Sequence, residues 1–512
     1  MTPVKDQLKI GIVLNYVTIG LNALVGLLYT PYMLRMMGQG EYGLYSLVSS
    51  IIAYLTILDF GFGNAIIRYT AKMRAEGKVE EQYRMFGMFL WLYVIIGIIA
   101  LSLGVALYYN LDRFFDATLT AEELYRSRIM IIMLIFNLAV TFPLSVFGAI
   151  IQAYERFIIA KSTHIVRIVM TTVVMIVLLH YGYKAVAMVA VQTVMNVSIL
   201  LFNLVYALKV LKIRVVFGKV DTSFLKEISY YSFWIFLMAI VDNLFWNTGQ
   251  FVLGAVIGTT AVAIYGVAIQ LHGMHEQFST AMSALFLPRV TAMVSKSDNR
   301  QEISDLFIRV GRLQYIILSF ILVAFILLGR DFVILWAGPD YHEAYIITTL
   351  FFLATTIPLC QNMGIIILQA RNQMKFRALC YCFTSVLCVV IQIILAKQFA
   401  GIGCAIGLAS SVLLGHVVIM NWYYYKKQGI NIMQFWKEIL RMSIPSILVG
   451  VSAFILLKYI NLDVSWSTFI VEAVVFALIY LPIAFCFQMN QSERDLIKNM
   501  LLRRKRNEIN DL

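Results

Sequence analysis

The sequence predicts an all-α polytopic membrane protein with about 14 transmembrane helices: two parallel six-helix halves around a central cleft, plus two extra C-terminal helices. Three observations predict this class: the composition, the alternation of apolar segments with basic loops, and an internal repeat. Of the 512 residues, 61% are apolar and 13% are charged, whereas a soluble protein carries roughly 25% charged residues. Because unpaired backbone groups cannot face lipid, such a chain crosses the bilayer as helices.

Apolar runs of about 20 residues are long enough to cross the hydrocarbon core as helices. The first run is of spanning length and has no small-residue cleavage site, so we expect it to remain in the protein. Very short polar turns join several neighbouring runs, which indicates tight helical hairpins. The predicted spans are 10–36, 42–67, 86–108, 127–150, 158–180, 185–208, 228–256, 260–287, 313–336, 344–369, 377–396, 401–424, 441–460 and 465–488.

Positive charge is distributed unevenly between the two faces that these spans define. With the N-terminus inside, about 33 of the 41 Lys and Arg residues fall on the inner side. Excess basic residues are typical of cytoplasmic loops, so both termini are predicted in the cytoplasm and the net charge of +13 does not indicate nucleic-acid binding. The RRKR run at 503–506 either binds anionic lipid or only anchors the topology.

An internal repeat divides the chain into two halves. Gly38 and Tyr45 match Gly258 and Tyr265, and three further matches, at Arg68, Pro143 and Gln152, recur at a nearly constant offset of about 218 residues. Six spans place both ends of a half on the same side, so the halves are parallel repeats around a central cleft, as in rocking transporters. The predicted regions are an N-terminal lobe (1–215), a C-terminal lobe (216–430), two further helices (431–490) and a basic cytoplasmic tail (491–512).

Ionisable residues inside predicted spans indicate where ion coupling would occur. Burying such a group costs several kcal/mol without a partner, so it is rarely retained without a function. Asp242 lies near the middle of span 7, and His272 and Glu276 share a helical face in span 8. These three are the predicted H⁺ or Na⁺ coupling residues. Satisfied helix–helix hydrogen bonds are the alternative, and no metal site or other cofactor is predicted.

Arginine and asparagine residues are the candidates for substrate binding. Arg68 and Arg289 occupy equivalent repeat positions at the inner ends of spans 2 and 8. Guanidinium groups bind phosphate bidentately, so arginines at the mouth of a cleft suit a phosphate-bearing substrate. Interfacial anchoring is the alternative for each one. The predicted cationic cleft consists of Arg68, Arg167, Arg289, Arg35, Asn15 and Asn22.

The stretch LDFGFGNAIIRYTAKMR at 58–74 joins span 2 to a basic loop. Its arginine end has a counterpart in the second half, whereas Asp59 and the Gly61-Phe62-Gly63 triplet do not. Glycines beside a buried aspartate suit a helix end that bends when a cleft opens. Asp59, Gly61 and Gly63 are therefore the predicted hinge.

With this stretch, the MGQGEYGLYSL turn and the two parallel halves, nearly the whole chain resembles bacterial polysaccharide and O-antigen flippases. These belong to the multidrug/oligosaccharidyl-lipid/polysaccharide exporter superfamily. The matching motif positions are Gly38, Tyr42, Gly43, Asp59 and Gly61. The motifs distinguish this branch of transporters but not one sugar substrate from another.

The resemblance implies a bacterial inner-membrane flippase that moves an undecaprenyl-pyrophosphate-linked oligosaccharide repeat from the inner to the outer leaflet. It also implies a cationic cavity, coupling to an ion gradient, and polysaccharide polymerase and chain-length proteins as partners. A cation-coupled multidrug exporter of the same superfamily is the alternative, and the acidic residue Asp242 inside a predicted span is consistent with that alternative. A non-transporting scaffold or a membrane enzyme is a third possibility, although no catalytic constellation or ATP-binding motif appears in the sequence.

Overall fold

A computed structural model describes residues 4–218, 222–284, 286–459 and 463–495 of the chain, and all regular structure in these residues is helical. The predicted all-α fold class is therefore confirmed. The predicted basic tail lies outside the described residues from residue 496 onward.

Nineteen α-helices form the described part of the chain. The first ten are α1 (Val4–Leu24), α2 (Thr30–Met37), α3 (Gln39–Thr56), α4 (Phe62–Ala75), α5 (Val79–Phe115), α6 (Ala121–Ala153), α7 (Phe157–His180), α8 (Ala185–Val205), α9 (Thr222–Trp246) and α10 (Thr248–Val256). The others are α11 (Thr259–Ala284), α12 (Leu287–Lys296), α13 (Arg300–Trp336), α14 (Glu343–Cys360), α15 (Asn362–Ala370), α16 (Lys375–Val412), α17 (Met420–Tyr423), α18 (Ile432–Tyr459) and α19 (Trp466–Ile483). Short π-helical or 3₁₀ turns lie at Val25–Tyr29, Ile57–Asp59, Tyr206–Val210, Pro339–Tyr341, Leu413–Ile419, Tyr424–Gln428 and Ala484–Gln488.

Eleven helical segments in the described residues are long and apolar enough to cross a membrane. One of them, Lys375–Gln428, has 54 residues and a non-helical kink at Ala400, and it covers predicted spans 11 and 12. Predicted spans 7 and 8 correspond to α9–α10 and α11, which are not among the 11, although Ser232–Trp246 within α9 is a shorter apolar helix. The count of 14 therefore remains a prediction, while a multi-pass membrane protein is established.

The contacts between helices divide the chain into two compact units. Unit 1 comprises Met1–Gly266 and Ser385–Cys404, and unit 2 comprises Val267–Thr384 and Ala405–Leu512. Helices α9 and α10 thus group with the first six predicted spans, and the divisions fall within α11 and α16. These units differ from lobes divided at residue 215, and the two repeated lobes remain a prediction.

Glycine and capping side chains determine where neighbouring helices begin. Gly38 (φ +79°) ends α2 and Gly258 (φ +124°) precedes α11, so the two glycine positions matched by the repeat both adopt a conformation that side chains disfavour. At the start of α6, the Glu123 carboxylate accepts a 2.9 Å hydrogen bond from the Thr120 backbone N–H, and Thr120 Oγ1 accepts one from the Glu123 N–H. This capping box satisfies backbone donors that a helix start leaves unpaired.

The helix pattern of the first half recurs in the second half. The short helices α4 and α12 precede two long helices, α5 and α13, which both have 37 residues. Pro143 lies inside α6 and Pro358 inside α14. The turns after α6 and after α15 contain left-handed residues, Glu155 (φ 56°) and Asn372 (φ 54°). These similarities favour the predicted parallel repeat.

In unit 2, a buried polar network packs α18 and α19 against α13. The Tyr480 hydroxyl lies 2.8 Å from Ser446 Oγ on α18 and 3.1 Å from Ser319 Oγ on α13. Gln488 Nε2 donates to both Ser446 Oγ (2.7 Å) and the Tyr480 hydroxyl (3.1 Å). Polar hydrogen bonds of this kind hold helices together where lipid removes the hydrophobic driving force.

Gly43 allows a close approach between α3 and the start of α11, and this contact generates a stability prediction. A methyl group at Gly43 would lie 1.9 Å from the Thr259 carbonyl oxygen. The Gly43→Ala substitution should therefore lower the free energy of unfolding by about 1–3 kcal/mol, because backbone has to move. Unfolding of the purified protein in detergent, by heat and by denaturant, measures the effect.

Gly20→Ala is the matched control, since nothing lies within 4 Å of a Cβ at that α1 position. It should leave stability unchanged or raise it by up to ~1 kcal/mol. Equal behaviour of the two variants would contradict the close approach of α3 to the start of α11.

Candidate functional site

Three cationic or protonatable side chains follow one face of α7. Lys161, His164 and Arg167 are spaced three residues apart, which places them on neighbouring turns of the helix. All three are partly buried. This α7 cation track lies within the membrane-crossing segment Phe157–His180. Bringing positive charge into such a segment is costly unless a partner compensates it.

The partners of the α7 cation track within the chain are neutral. Lys161 Nζ donates a 2.7 Å hydrogen bond to Asn15 Oδ1 on α1, and Arg167 Nη1 donates a 3.3 Å bond to Asn196 Oδ1 on α8. His164 Nδ1 is buried without a hydrogen-bond partner. In the described residues, no carboxylate lies within ion-pair distance of Lys161 or Arg167. The track therefore retains uncompensated positive charge.

An amide network on α6 and α8 holds the partner of Arg167 in place. Asn196 Nδ2 donates 2.8 Å hydrogen bonds to Asn137 Oδ1 and to Thr141 Oγ1. Thr141 Oγ1 in turn donates to the Asn137 backbone carbonyl at 2.7 Å. Because its amide is fixed from the other side, Asn196 presents its carbonyl oxygen to the guanidinium.

The other predicted binding residues lie elsewhere in the fold. Arg35 on α2, Asn22 on α1 and Arg68 on α4 are exposed, and Arg68 lies 5.8 Å from the centre of the Tyr69 ring. Arg289 is exposed on α12, in unit 2. The structure thus brings two predicted residues, Asn15 and Arg167, to the α7 cation track.

The predicted coupling residues divide between the two units. Asp242 is exposed on α9 in unit 1, whereas His272 and Glu276 lie in the part of α11 that belongs to unit 2. His272 is buried, with Nε2 3.2 Å from the Thr355 hydroxyl on α14. No cluster of three or more His, Cys, Asp or Glu residues suited to a metal ion occurs in the described chain. Ion coupling through these residues remains a prediction.

The predicted hinge coincides with a break in the helix. Helix α3 ends at Thr56, a 3₁₀ turn follows, and Phe60 (φ 53°) and Gly61 (φ 69°) adopt left-handed conformations before α4 begins. The Tyr93 hydroxyl donates a 2.8 Å hydrogen bond to Asp59 Oδ1 and so connects the break to α5. Gly63 lies inside α4 with open space beside its Cα. Only one of the two glycines therefore occupies the break itself.

Sequence reasoning does not single out three residues at these sites, Lys161, Asn196 and Tyr93, as functional candidates. Lys161 is one of the basic residues on the predicted inner side. Its three-residue spacing from His164 and Arg167 was visible in the sequence and could have identified it. No sequence signal links Tyr93 to Asp59, which is 34 residues away.

The fold of this chain is similar to the folds of several solved membrane transporters. It is similar to the lipid II flippase MurJ in an inward closed conformation, with TM-score 0.70 and 14% identity over 95% of this chain and 99% of that one. It is also similar to an inward-facing multidrug resistance MATE family transporter, with TM-score 0.63 and 16% identity over 81% of this chain and 99% of that one. At these identities the structures establish the fold alone.

The family follows from the sequence match. Residues 8–294, more than half of the chain, match the family described as polysaccharide biosynthesis protein, and the chain belongs to that family. It is also 23% identical over 493 residues to the uncharacterized membrane protein EpsK of Bacillus subtilis (strain 168), which covers 91% of this chain and 93% of that protein. The structural neighbours are membrane transporters and flippases.

The helix break at Gly61 predicts that alanine substitutions at the two hinge glycines, Gly61 and Gly63, have different effects. Gly61→Ala should lower the free energy of unfolding by about 1–3 kcal/mol, because alanine disfavours φ +69° and its methyl would lie 2.5 Å from Ile235 Cγ2. Gly63→Ala should retain both stability and transport. Unfolding in detergent and complementation of a deletion strain measure the two properties. Loss of transport in a stable Gly63→Ala protein would instead place the moving joint inside α4.

Proposed function

We propose that this protein flips an undecaprenyl-pyrophosphate-linked oligosaccharide repeat from the inner to the outer leaflet of the bacterial cytoplasmic membrane for polysaccharide biosynthesis. The observation that carries the proposal is the α7 cation track, which holds Lys161 and Arg167 in a membrane-crossing helix with amide partners only. Membership in the polysaccharide biosynthesis family and the likeness to a lipid II flippase fold support it.

The charge of the substrate explains why the track has no acidic partner. A pyrophosphate brings more than one negative charge and many acceptor oxygens into the membrane. Arg167 can bind two phosphate oxygens at once, and Lys161 adds a mobile point charge nearly two helical turns away. An internal carboxylate would compete with the substrate for both groups. The missing counter-charge is thus supplied by the transported headgroup itself.

A multidrug exporter is the second candidate, favoured by the MATE-like fold and by Asp242 on α9. Exporters of organic cations need negative charge where the substrate sits, and the α7 cation track has the opposite sign. The test uses the purified protein reconstituted in proteoliposomes. Flux of a lipophilic organic cation, with no flipping of the lipid-linked sugar, would support the exporter.

The flippase proposal predicts the effect of removing charge from the track. Lys161→Gln and Arg167→Gln should each raise the substrate concentration for half-maximal flipping by roughly 10- to 100-fold, since each removes one charged hydrogen bond to phosphate. Reconstituted protein and a defined undecaprenyl-pyrophosphate-linked oligosaccharide, scored by accessibility of the sugar to a membrane-impermeant lectin, provide the measurement.

Two controls make this test specific. Arg84→Gln removes an exposed charge from α5 outside the track and should leave flipping unchanged. Lys161→Arg keeps the charge and should retain most of the activity. If Lys161→Gln and Arg167→Gln flip substrate as well as Arg84→Gln does, the track has no part in headgroup binding.

Ion coupling generates a separate prediction for Asp242. We propose that its carboxylate carries the coupled H⁺ or Na⁺, so Asp242→Asn should abolish acceleration by an imposed gradient while leaving slow, gradient-independent flipping. Asp331→Asn is the control, because it neutralises another carboxyl in a membrane-crossing helix. Gradient-driven flipping that survives in Asp242→Asn would exclude this role.

A further inference from the structure

An apolar groove runs along the surface formed by α13, α18 and α19 in unit 2. Its volume is about 750 Å³, and almost all of its lining is aliphatic or aromatic. Leu328 on α13, Leu448 and Ala453 on α18, and Val475 on α19 lie along it. Phe487, just beyond α19, lines one end. The groove has the length and chemistry to hold an extended hydrocarbon chain.

A polar pocket of about 390 Å³ continues from that end of the groove, and Phe487 lines both cavities. It lies where the apolar parts of α13 and α18 begin, on the face that the charge pattern predicts as cytoplasmic. Its charged lining consists of Arg309, Arg312, Arg441, Arg494, Asp305 and Glu438. A polar pocket joined to an apolar groove matches the chemistry of a lipid, with the headgroup in the pocket and an acyl chain in the groove.

Arg312 builds the pocket but is not available to a ligand. Its Nε and Nη2 donate 2.8 Å hydrogen bonds to the two carboxylate oxygens of Glu493, Nη2 also donates to the Gln488 carbonyl at 3.0 Å, and Nη1 donates to Glu438. Glu493 in turn accepts from the Asn490 N–H at 2.8 Å. These bonds fix the segment after α19 against α13 and α18. The carboxylates of Glu493 and Glu438 neutralise the charge of Arg312.

Arg309 and Arg441 are the available cations of the pocket. Both are exposed, and in the described residues neither has a carboxylate within ion-pair distance. Arg494 donates to the carbonyls of Met489 (3.1 Å) and Cys486, which leaves part of its guanidinium open. The four pocket arginines and the three carboxylates Asp305, Glu438 and Glu493 leave a net charge of +1.

We propose that this pocket and groove bind one anionic glycerophospholipid, with its phosphodiester between Arg309 and Arg441 and an acyl chain in the groove. The net charge of +1 matches the single charge of a phosphodiester and not the several charges of a pyrophosphate. The lipid joins α13 to α18 and α19, and its binding does not depend on which substrate is flipped.

Lipid retention by the whole purified protein tests the proposal. Delipidated protein is titrated with phosphatidylglycerol or with phosphatidylcholine of the same chains, and bound lipid is counted by native mass spectrometry. The wild type should prefer phosphatidylglycerol and unfold at a higher temperature in its presence. The Arg309→Gln/Arg441→Gln double variant should bind phosphatidylglycerol roughly 30-fold more weakly and lose the preference.

The matched control is Arg84→Gln/Arg214→Gln, which removes the same charge from exposed positions of unit 1 and should retain wild-type binding. Ala453→Trp fills the groove and should weaken binding of long-chain phosphatidylglycerol without altering the fold of the polar pocket. Reduced binding in this variant supports a chain in the groove, and unchanged binding contradicts it.

Three results would overturn the proposal. Equal retention of phosphatidylglycerol and phosphatidylcholine by the wild type would mean non-specific boundary lipid. Displacement of the bound lipid by millimolar inorganic phosphate would mean a site for free phosphate. Displacement by an undecaprenyl pyrophosphate at lower concentration than phosphatidylglycerol would assign the site to the transported lipid.

Discussion

The absence of water from the hydrocarbon core is the constraint on which the rest of this structure depends. Every charge and every helix break inside the membrane needs a partner from the chain or from a ligand. Arg312 satisfies this rule within the protein, because two carboxylates and a carbonyl surround its guanidinium. Arg167 has one amide oxygen at 3.3 Å. An arginine whose charge is neutralised by carboxylates of the protein has a structural role. An arginine with only a neutral partner is a candidate for binding an anion.

The helix break at 57–61 follows the same constraint. The Phe60 N–H bonds to the Ile57 carbonyl at 3.2 Å and the Asn64 N–H to the Gly61 carbonyl at 3.1 Å, so local turns replace part of the lost helical pairing. Tyr93 satisfies the Asp59 carboxyl, and the Phe60 ring stacks on Phe236 at 4.4 Å. Irregular backbone is tolerated within a membrane where protein surrounds it or water reaches it. A break that is anchored by side chains in this way can keep two helical arms at a defined angle.

Features that depend on local sequence were predicted, and features that depend on distant partners were not. Hydropathy alone placed most of the membrane-crossing helices, and Gly38 and Gly258 marked the turns because only their backbone conformation matters there. No sequence pattern distinguishes Arg312 from the other arginines of the chain, since its partners Glu438 and Glu493 are 126 and 181 residues away. The assignment of α9 and α10 to unit 1 likewise rests on tertiary contacts that no periodicity reveals.

The charge around each arginine also changes which residues of the predicted cationic cleft are the strongest candidates for binding an anion. The repeat relates Arg68 and Arg289, yet both are exposed, Arg68 in the middle of α4 and Arg289 in the first turn of α12. An exposed guanidinium already interacts with water, so an ion pair formed there contributes only about 0–1 kcal/mol. A partly buried cation with a neutral partner gains more when an anion arrives, since the anion replaces a missing charge and not a water molecule. Repeat symmetry therefore indicates the frame of such a transporter, whereas the charge balance around each buried cation indicates where an anionic headgroup binds.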